Sequence, residues 1–91
     1  MFRFKGSVDE RMSAAKEFKT LLDALPAQIA ELQAIEVGIN ENPNEQWDLV
    51  LTAVAANPED VALYSAHPAH VAAVASVKSR IDSRACVDYS L

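Results

Sequence analysis

Two glycines and a single cysteine in 91 residues exclude several kinds of chemistry. A phosphate-cradling loop or a dinucleotide fingerprint needs closely spaced glycines so that backbone N–H groups can approach the ligand, and Gly6 and Gly38 stand far apart. Cys86, being alone, can form no internal disulfide and no Cys-x-x-Cys redox or metal arrangement. Such cysteine usage fits a reducing cytoplasm. The formal net charge is -5 and no Lys/Arg cluster occurs, so the positive footprint required by nucleic acid or an anionic membrane surface is missing. No stretch approaches the roughly 18 to 20 apolar residues of a membrane helix, and residues 1–6 lack the apolar centre of a secretory signal. These absences predict a cytoplasmic protein with neither nucleic acid nor membrane as partner. Internal repeats and low-complexity runs are also missing.

Half of the chain is apolar (51%), enough for one core in a single domain spanning 1–91. Phe2 and Phe4 alternate with Arg3 and Lys5, the period of a short first strand, until Gly6 breaks it. Ser7 and Glu10 have the spacing of a capping box. The helix that follows carries Met12, Ala15, Phe18, Leu22 and Leu25 on one stripe and ends before Pro26. Ile35, Val37 and Ile39 alternate with Glu36 and Gly38 in a second strand, and residues 40–46 form a polar loop. A third strand over 47–55 puts apolar groups on both faces. Asn57-Pro58-Glu59-Asp60 opens a short helix. His67-Pro68 opens another, with Val71, Val74, Val77 and Ile81 as its stripe, and a fourth strand alternates through Ala85, Val87, Tyr89 and Leu91.

The order is βαββαβ with the second helix in two pieces, which predicts an α+β, ferredoxin-like fold: a four-stranded antiparallel sheet with helices on one face. Helices cover one side only. The two-sided apolar third strand therefore needs a second cover, and the bare sheet of an identical subunit supplies it, so the partner is the chain itself in a homodimer through the open sheet face.

The only histidines, His67 and His70, fall in LYSAHPAH. Pro68 suits the first helical position, which makes His67 the cap and places His70 in the first turn. Two rings so placed need not share a face, and no third ligand lies near in sequence, so no metal site is predicted. Nor does any motif demand a cofactor.

Leu25-Pro26-Ala27-Gln28-Ile29, Ile35-Glu36-Val37-Gly38, Asp48-Leu49-Val50-Leu51, Tyr64 through His70, and ACVDY from Ala85 to Tyr89 occur in an order that resembles the stress-responsive A/B barrel domain family over nearly the whole chain. The His-Pro-x-His element is its most specific part. The resemblance implies a dimeric α/β barrel in which two ferredoxin-like sheets close together. One member is a plant polyketide cyclase in which a tyrosine and the second histidine of a similar element act on the substrate, which makes Tyr64 and His70 the candidate catalytic residues. Two departures stand out: members carry a longer, histidine-containing first strand, which suggests that the first strand here is truncated, and Ala55 stands where members often have phenylalanine.

Tyr64 and His70 together suit proton removal beside a carbonyl without a cofactor, as orienting hydroxyl and base. The plainer alternative has Tyr64 and His67 stitching the helix junction while His70 packs beneath strand three. His67, Trp47 at a strand entry, and Val50 are candidate contacts for a small apolar ligand in a helix–sheet cleft. Glu36, Asp48 and Asp88 are expected to pair with Arg3 or Lys5 at the surface or interface, and Cys86 to be a small packing residue. Three functions follow: a small-molecule binder, a cyclase- or isomerase-like enzyme, or an interaction dimer without a ligand.

Overall fold

In the computed structural model, which describes residues 1–90, the order is β1 (Phe2–Phe4), α1 (Val8–Asp23), β2 (Leu32–Ile39), β3 (Leu49–Ala55), α2 (Pro58–Ala66), α3 (Pro68–Val77) and β4 (Ile81–Arg84). Single 3-10 turns occupy Leu25–Ala27 and Lys78–Arg80. The strands form one antiparallel sheet in the order β2-β3-β1-β4. This is the ferredoxin-like arrangement that the element order predicts.

Gly6 turns the chain from β1 into α1 with a φ of +101°, a conformation costly for any residue with a Cβ, and a Cβ there would lie 2.9 Å from Glu10 Cδ. The capping box then closes: Ser7 Oγ accepts from the Glu10 amide at 3.2 Å, and the Glu10 carboxylate accepts from the Ser7 amide at 3.1 Å. Those bonds also hold the Glu10 carboxyl below its usual range. Ala14, Ala15, Phe18 and Leu22 form the buried stripe of α1. Phe18 meets Phe2 and Phe4 edge-on, with centroids 5.0 and 6.3 Å apart, so helix and central strand are joined by the aromatic geometry that adds to simple burial. Truncating Phe18 to Ala would cost about 3–5 kcal/mol. The helix ends at Asp23, two residues short of the predicted Leu25: Pro26 has no N–H to continue the helical ladder, and Leu25 opens a 3-10 turn instead.

Only one register pair, Phe2 with Leu49, joins β1 to β3. Asp48 makes up part of the deficit. Its N–H donates to Phe2 O at 2.8 Å and its Oδ2 accepts from the Phe4 amide at 2.8 Å. Arg11 Nε stands 3.3 Å from the other carboxylate oxygen, near enough for an ion pair but without hydrogen-bond alignment. Asp48 is thus paired with Arg11 on α1, and Arg3 or Lys5 is not its partner. Arg3 reaches Asp82 at 3.8 Å and the carbonyl of Gln46, Asp88 accepts from Cys86, and Glu36 is exposed. Because Asp48 caps β1 in this way, β3 begins at Leu49 and leaves Trp47 outside the strand.

Along β3, Leu49 is buried toward the helices while Val50 and Val54 are 47% and 46% exposed, which by strand alternation places them on the opposite, uncovered face. Beside Val50, a Cβ on Gly38 would come within 3.2 Å of its Cγ1. The outer face is therefore tight and partly apolar.

The fourth strand differs from the expected one. Pairing occurs at Phe2 with Arg84, Arg3 with Ser83 and, after a bulge, Phe4 with Ile81. The alternating stretch from residue 85 onward gains no strand partner beyond Ala85, whose N–H bonds Met1 O at 3.0 Å. Leu91 lies outside the described residues. Alternation specifies a face, but a strand exists only where a neighbour offers hydrogen bonds. Ile81, placed by periodicity on the α3 stripe, opens β4, and Ala73 and Val77 are the buried residues of α3 while Val71 is exposed.

Candidate functional site

The site is built at the junction of α2 and α3. Asn57 Oδ1 accepts from the Asp60 amide at 2.8 Å, Pro58 supplies the first helical position, and Glu59 and Asp60 complement the positive end of α2. The helix stops at Ala66 because His67, which precedes a proline, is extended (φ −61°, ψ 136°). His67 serves both helices. Its N–H donates to Tyr64 O at 3.2 Å, and its Nδ1 accepts from the Ala69 amide at 3.0 Å. A ring nitrogen that accepts carries no proton, so the neutral ring holds its hydrogen on Nε2.

His70 has the opposite tautomer. Its Nδ1 lies 3.0 Å from Ser65 O, and a carbonyl can only accept, so Nδ1 carries a hydrogen and, in the neutral ring, Nε2 is left with the lone pair. The ring is half-buried and stands 4.6 Å, centroid to centroid, from Tyr64, tilted by 56°. Tyr64 is 6% exposed and its hydroxyl is buried without any hydrogen-bond partner. Burial first, and the charge of Cys86 second, push the Tyr64 phenol above its ordinary value of 10.0. The phenol therefore remains a neutral donor at neutral pH. The phenol ring and the imidazole are neighbours, one bearing a donor and the other able to offer an acceptor, a pair of groups able to bind a polar group or to move a proton.

Tyr64, His67 and His70 are thus brought together, whereas Trp47 and Val50 are placed elsewhere. Trp47 is half-buried next to Asp48, which anchors the Phe4 end of β1. Cys86, whose charge Tyr64 feels, follows the residue bonded to Met1 at the other end. Val50 lies on the uncovered sheet face. Two surface hollows of about 350 and 370 Å³ lie away from the pair: the first is in the groove between α1 and α3, against Thr20, Ala24, Ala69 and Ala73, and the second is among Asp9, Glu10, Ser13 and Arg80. Sequence reasoning missed the Ser65 carbonyl, which sets the His70 tautomer and, being backbone, has no residue-type signal. Cys86 is exposed, contrary to the packing role expected of it. Its thiol donates to Asp88 Oδ1 at 3.3 Å, and that bond chiefly pushes the thiol up. Among the described residues, no group of three or more His, Cys, Asp or Glu is arranged to hold a metal, and no helix is long and apolar enough to cross a membrane.

Comparison with known proteins agrees with this architecture. A dimeric protein of ferredoxin-like fold from Bacteroides fragilis superposes with a TM-score of 0.93 at 40% identity, covering 99% of this chain and 89% of that one. A dimeric ferredoxin-like protein from Thermobifida fusca gives 0.84 at 26% identity, covering 100% and 85%. The fold alone is shared with an Arabidopsis thaliana protein at 24% identity and a TM-score of 0.70, covering 99% and 93%. No curated protein matches. The model of the Stress Responsive A/B Barrel Domain matches residues 1–91, and the chain belongs to that family.

Proposed function

We propose that the protein is a homodimer, joined through the open face of its sheet, that binds a small, largely apolar or aromatic molecule at Tyr64 and His70. The ligand reading rests on one observation, the buried Tyr64 hydroxyl without a partner. Such a group costs about 1–3 kcal/mol, and a carbonyl oxygen on a ligand relieves it. His70 Nε2 offers the complementary acceptor for a hydroxyl. An apolar ring bearing a carbonyl and a neighbouring hydroxyl therefore fits both, and 2-hydroxyacetophenone is a suitable probe. The dimer reading is supported by the outward Val50 and Val54 and by the dimeric state of the structural neighbours. The exposed Cys86 thiol suits a reducing, cytoplasmic setting.

A second reading, a cofactor-free isomerase or cyclase, is favoured by the same tautomer: an unprotonated Nε2 beside a neutral phenol can take a proton next to a carbonyl while the phenol holds the developing charge. His70→Gln separates the two, since turnover would vanish while a binder keeps most of its affinity. Thermal-shift titration of wild type with the probe tests binding; an unchanged melting temperature up to saturation, in a protein that sediments as a dimer, leaves the interaction-dimer alternative. Sedimentation at micromolar concentration should give twice the 9.9 kDa chain mass, and Val50→Glu should give monomer. A wild-type monomer would overturn the dimer.

A further inference from the structure

The break between α2 and α3 diverts one hydrogen bond, and the diversion reaches His70. In an unbroken helix the Ala69 N–H would donate to Ser65 O, four residues back. Here His67 is extended, and its Nδ1 takes the Ala69 N–H at 3.0 Å. Pro68 has no N–H to offer, and the His67 N–H turns to Tyr64 O, three residues back, at 3.2 Å. Ser65 O is therefore one of the last carbonyls of α2, the groups that a helical ladder leaves without partners. His70 Nδ1 stands 3.0 Å from it. The two imidazoles are thus coupled through the backbone between them: the His67 ring accepts the amide that a continuous helix would have given to Ser65 O, and the His70 ring donates to the oxygen so released. Among the described residues, neither ring nitrogen of His70 has another hydrogen-bond partner.

We propose that His67 is a positioning residue: by holding the Ala69 amide it keeps His70 in the Nδ1–H tautomer, and so makes the site choose ligands that donate a hydrogen bond to Nε2. The choice of ligand rests on the binding reading above, whereas the tautomer is a property of the free protein. A neutral imidazole has one N–H and one lone pair, and the partner of one nitrogen decides the role of the other. With Nδ1–H committed to Ser65 O, Nε2 of the neutral ring offers only a lone pair. The neighbouring Tyr64 phenol has a hydrogen to give. A hydroxyl next to a carbonyl satisfies both, while its methyl ether has nothing to donate. Without an acceptor at position 67, the part-buried Ala69 amide has to find another, because an orphaned donor is costly. Ser65 O is the acceptor that helical geometry supplies, and a carbonyl drawn back along the helix axis no longer faces His70 Nδ1. Asparagine, aspartate or serine would cap Ala69 as well, so the tautomer of His70 is what separates positioning from mere capping.

Long-range ¹H–¹⁵N correlations of the histidine rings read the tautomer directly, in ligand-free protein at an alkaline pH where imidazole is neutral. Wild type and His67→Asn, which keeps an acceptor at the cap, should both carry the His70 hydrogen on Nδ1, and in His67→Ala the Nε2–H form should become the major one. Wild type should also show scalar coupling between the Ala69 amide and His67 Nδ1 across their hydrogen bond. A wild type without that coupling, or with its His70 hydrogen on Nε2, overturns the proposal even if His67→Ala does not fold. A folded His67→Ala that keeps the Nδ1–H form overturns it as well and reduces His67 to a cap. Titration with 2-hydroxyacetophenone and 2-methoxyacetophenone reads the consequence for ligands. Wild type and His67→Asn should prefer the hydroxyl compound by about two- to tenfold in Kd, the worth of one neutral hydrogen bond, and His67→Ala should lose that preference. Equal affinity of wild type for both compounds overturns the selectivity. If the tautomer follows His67 while wild type binds neither compound, the ligand reading falls and the hold of His67 on His70 stands.

Discussion

Replacing Tyr64 with phenylalanine removes one oxygen atom, and the free protein should become more stable. The ring is 6% exposed and packs against His70, so the variant keeps its apolar contacts. What it loses is a buried hydroxyl with no partner, a group whose desolvation costs about 1–3 kcal/mol. Taking the lower end, because the neighbouring His70 is half-exposed and lets water approach, the expected gain is about 1 kcal/mol. For a domain of this size that is roughly 4–8 °C in melting temperature. The same change should weaken the hydroxyacetophenone probe, because one neutral hydrogen bond is worth about 0.5–1.5 kcal/mol, or roughly two- to tenfold in Kd. Calorimetry of the ligand-free pair and a titration of each measure both arms. Loss of about 1 kcal/mol of stability in the variant would refute the reasoning, since it would mean that a water or another group already satisfies the hydroxyl. Unchanged probe affinity would remove the donor role assigned to Tyr64.

Asp48→Ala should destabilise by about 2–3 kcal/mol, the loss of a charge-assisted bond to the Phe4 amide plus an uncompensated Arg11, with Arg11→Met/Asp48→Asn restoring part of it in a denaturation cycle; additive effects would dismiss the pair. His67→Ala should cost about 1 kcal/mol by removing the acceptor for the Ala69 amide, and His67→Asn, which keeps an acceptor at the cap, should cost less than half of that in urea unfolding. Because the folded Tyr64 phenol lies above 10.0, the unfolded chain ionises first there; stability from this residue is fully present below that value and lost as pH rises through the folded one. Urea midpoints across that alkaline window should fall more steeply for wild type than for Tyr64→Phe, and parallel curves would count against the burial effect.

Much of the architecture is written locally. Ser7 and Glu10 set the start of α1, Pro26 its end, Asn57 and Pro58 the start of α2, and His67-Pro68 the break that makes α3, because each acts on backbone within a few residues of itself. The pairing of Tyr64 with His70 follows from that break: six residues across a capped junction bring the rings to 4.6 Å. The two-sided apolar pattern of β3 is equally visible in sequence, since alternation alone puts Val50 and Val54 opposite Leu49.

Everything that needed a partner distant in sequence was decided by the tertiary structure. The alternation through Val87 and Tyr89 is a good strand pattern, yet β4 is formed at Ile81–Arg84, where it pairs with Phe2, Arg3 and Phe4. Asp48 could have paired with any nearby cation, and the packing of α1 across the sheet selected Arg11. Nor does any residue type announce that Ser65 O fixes the His70 tautomer or that the Tyr64 hydroxyl is buried alone. Caps and turns are short-range bonds a linear sequence can display, whereas strand pairing, ion-pair choice and the solvation of a single oxygen depend on which surfaces meet in three dimensions.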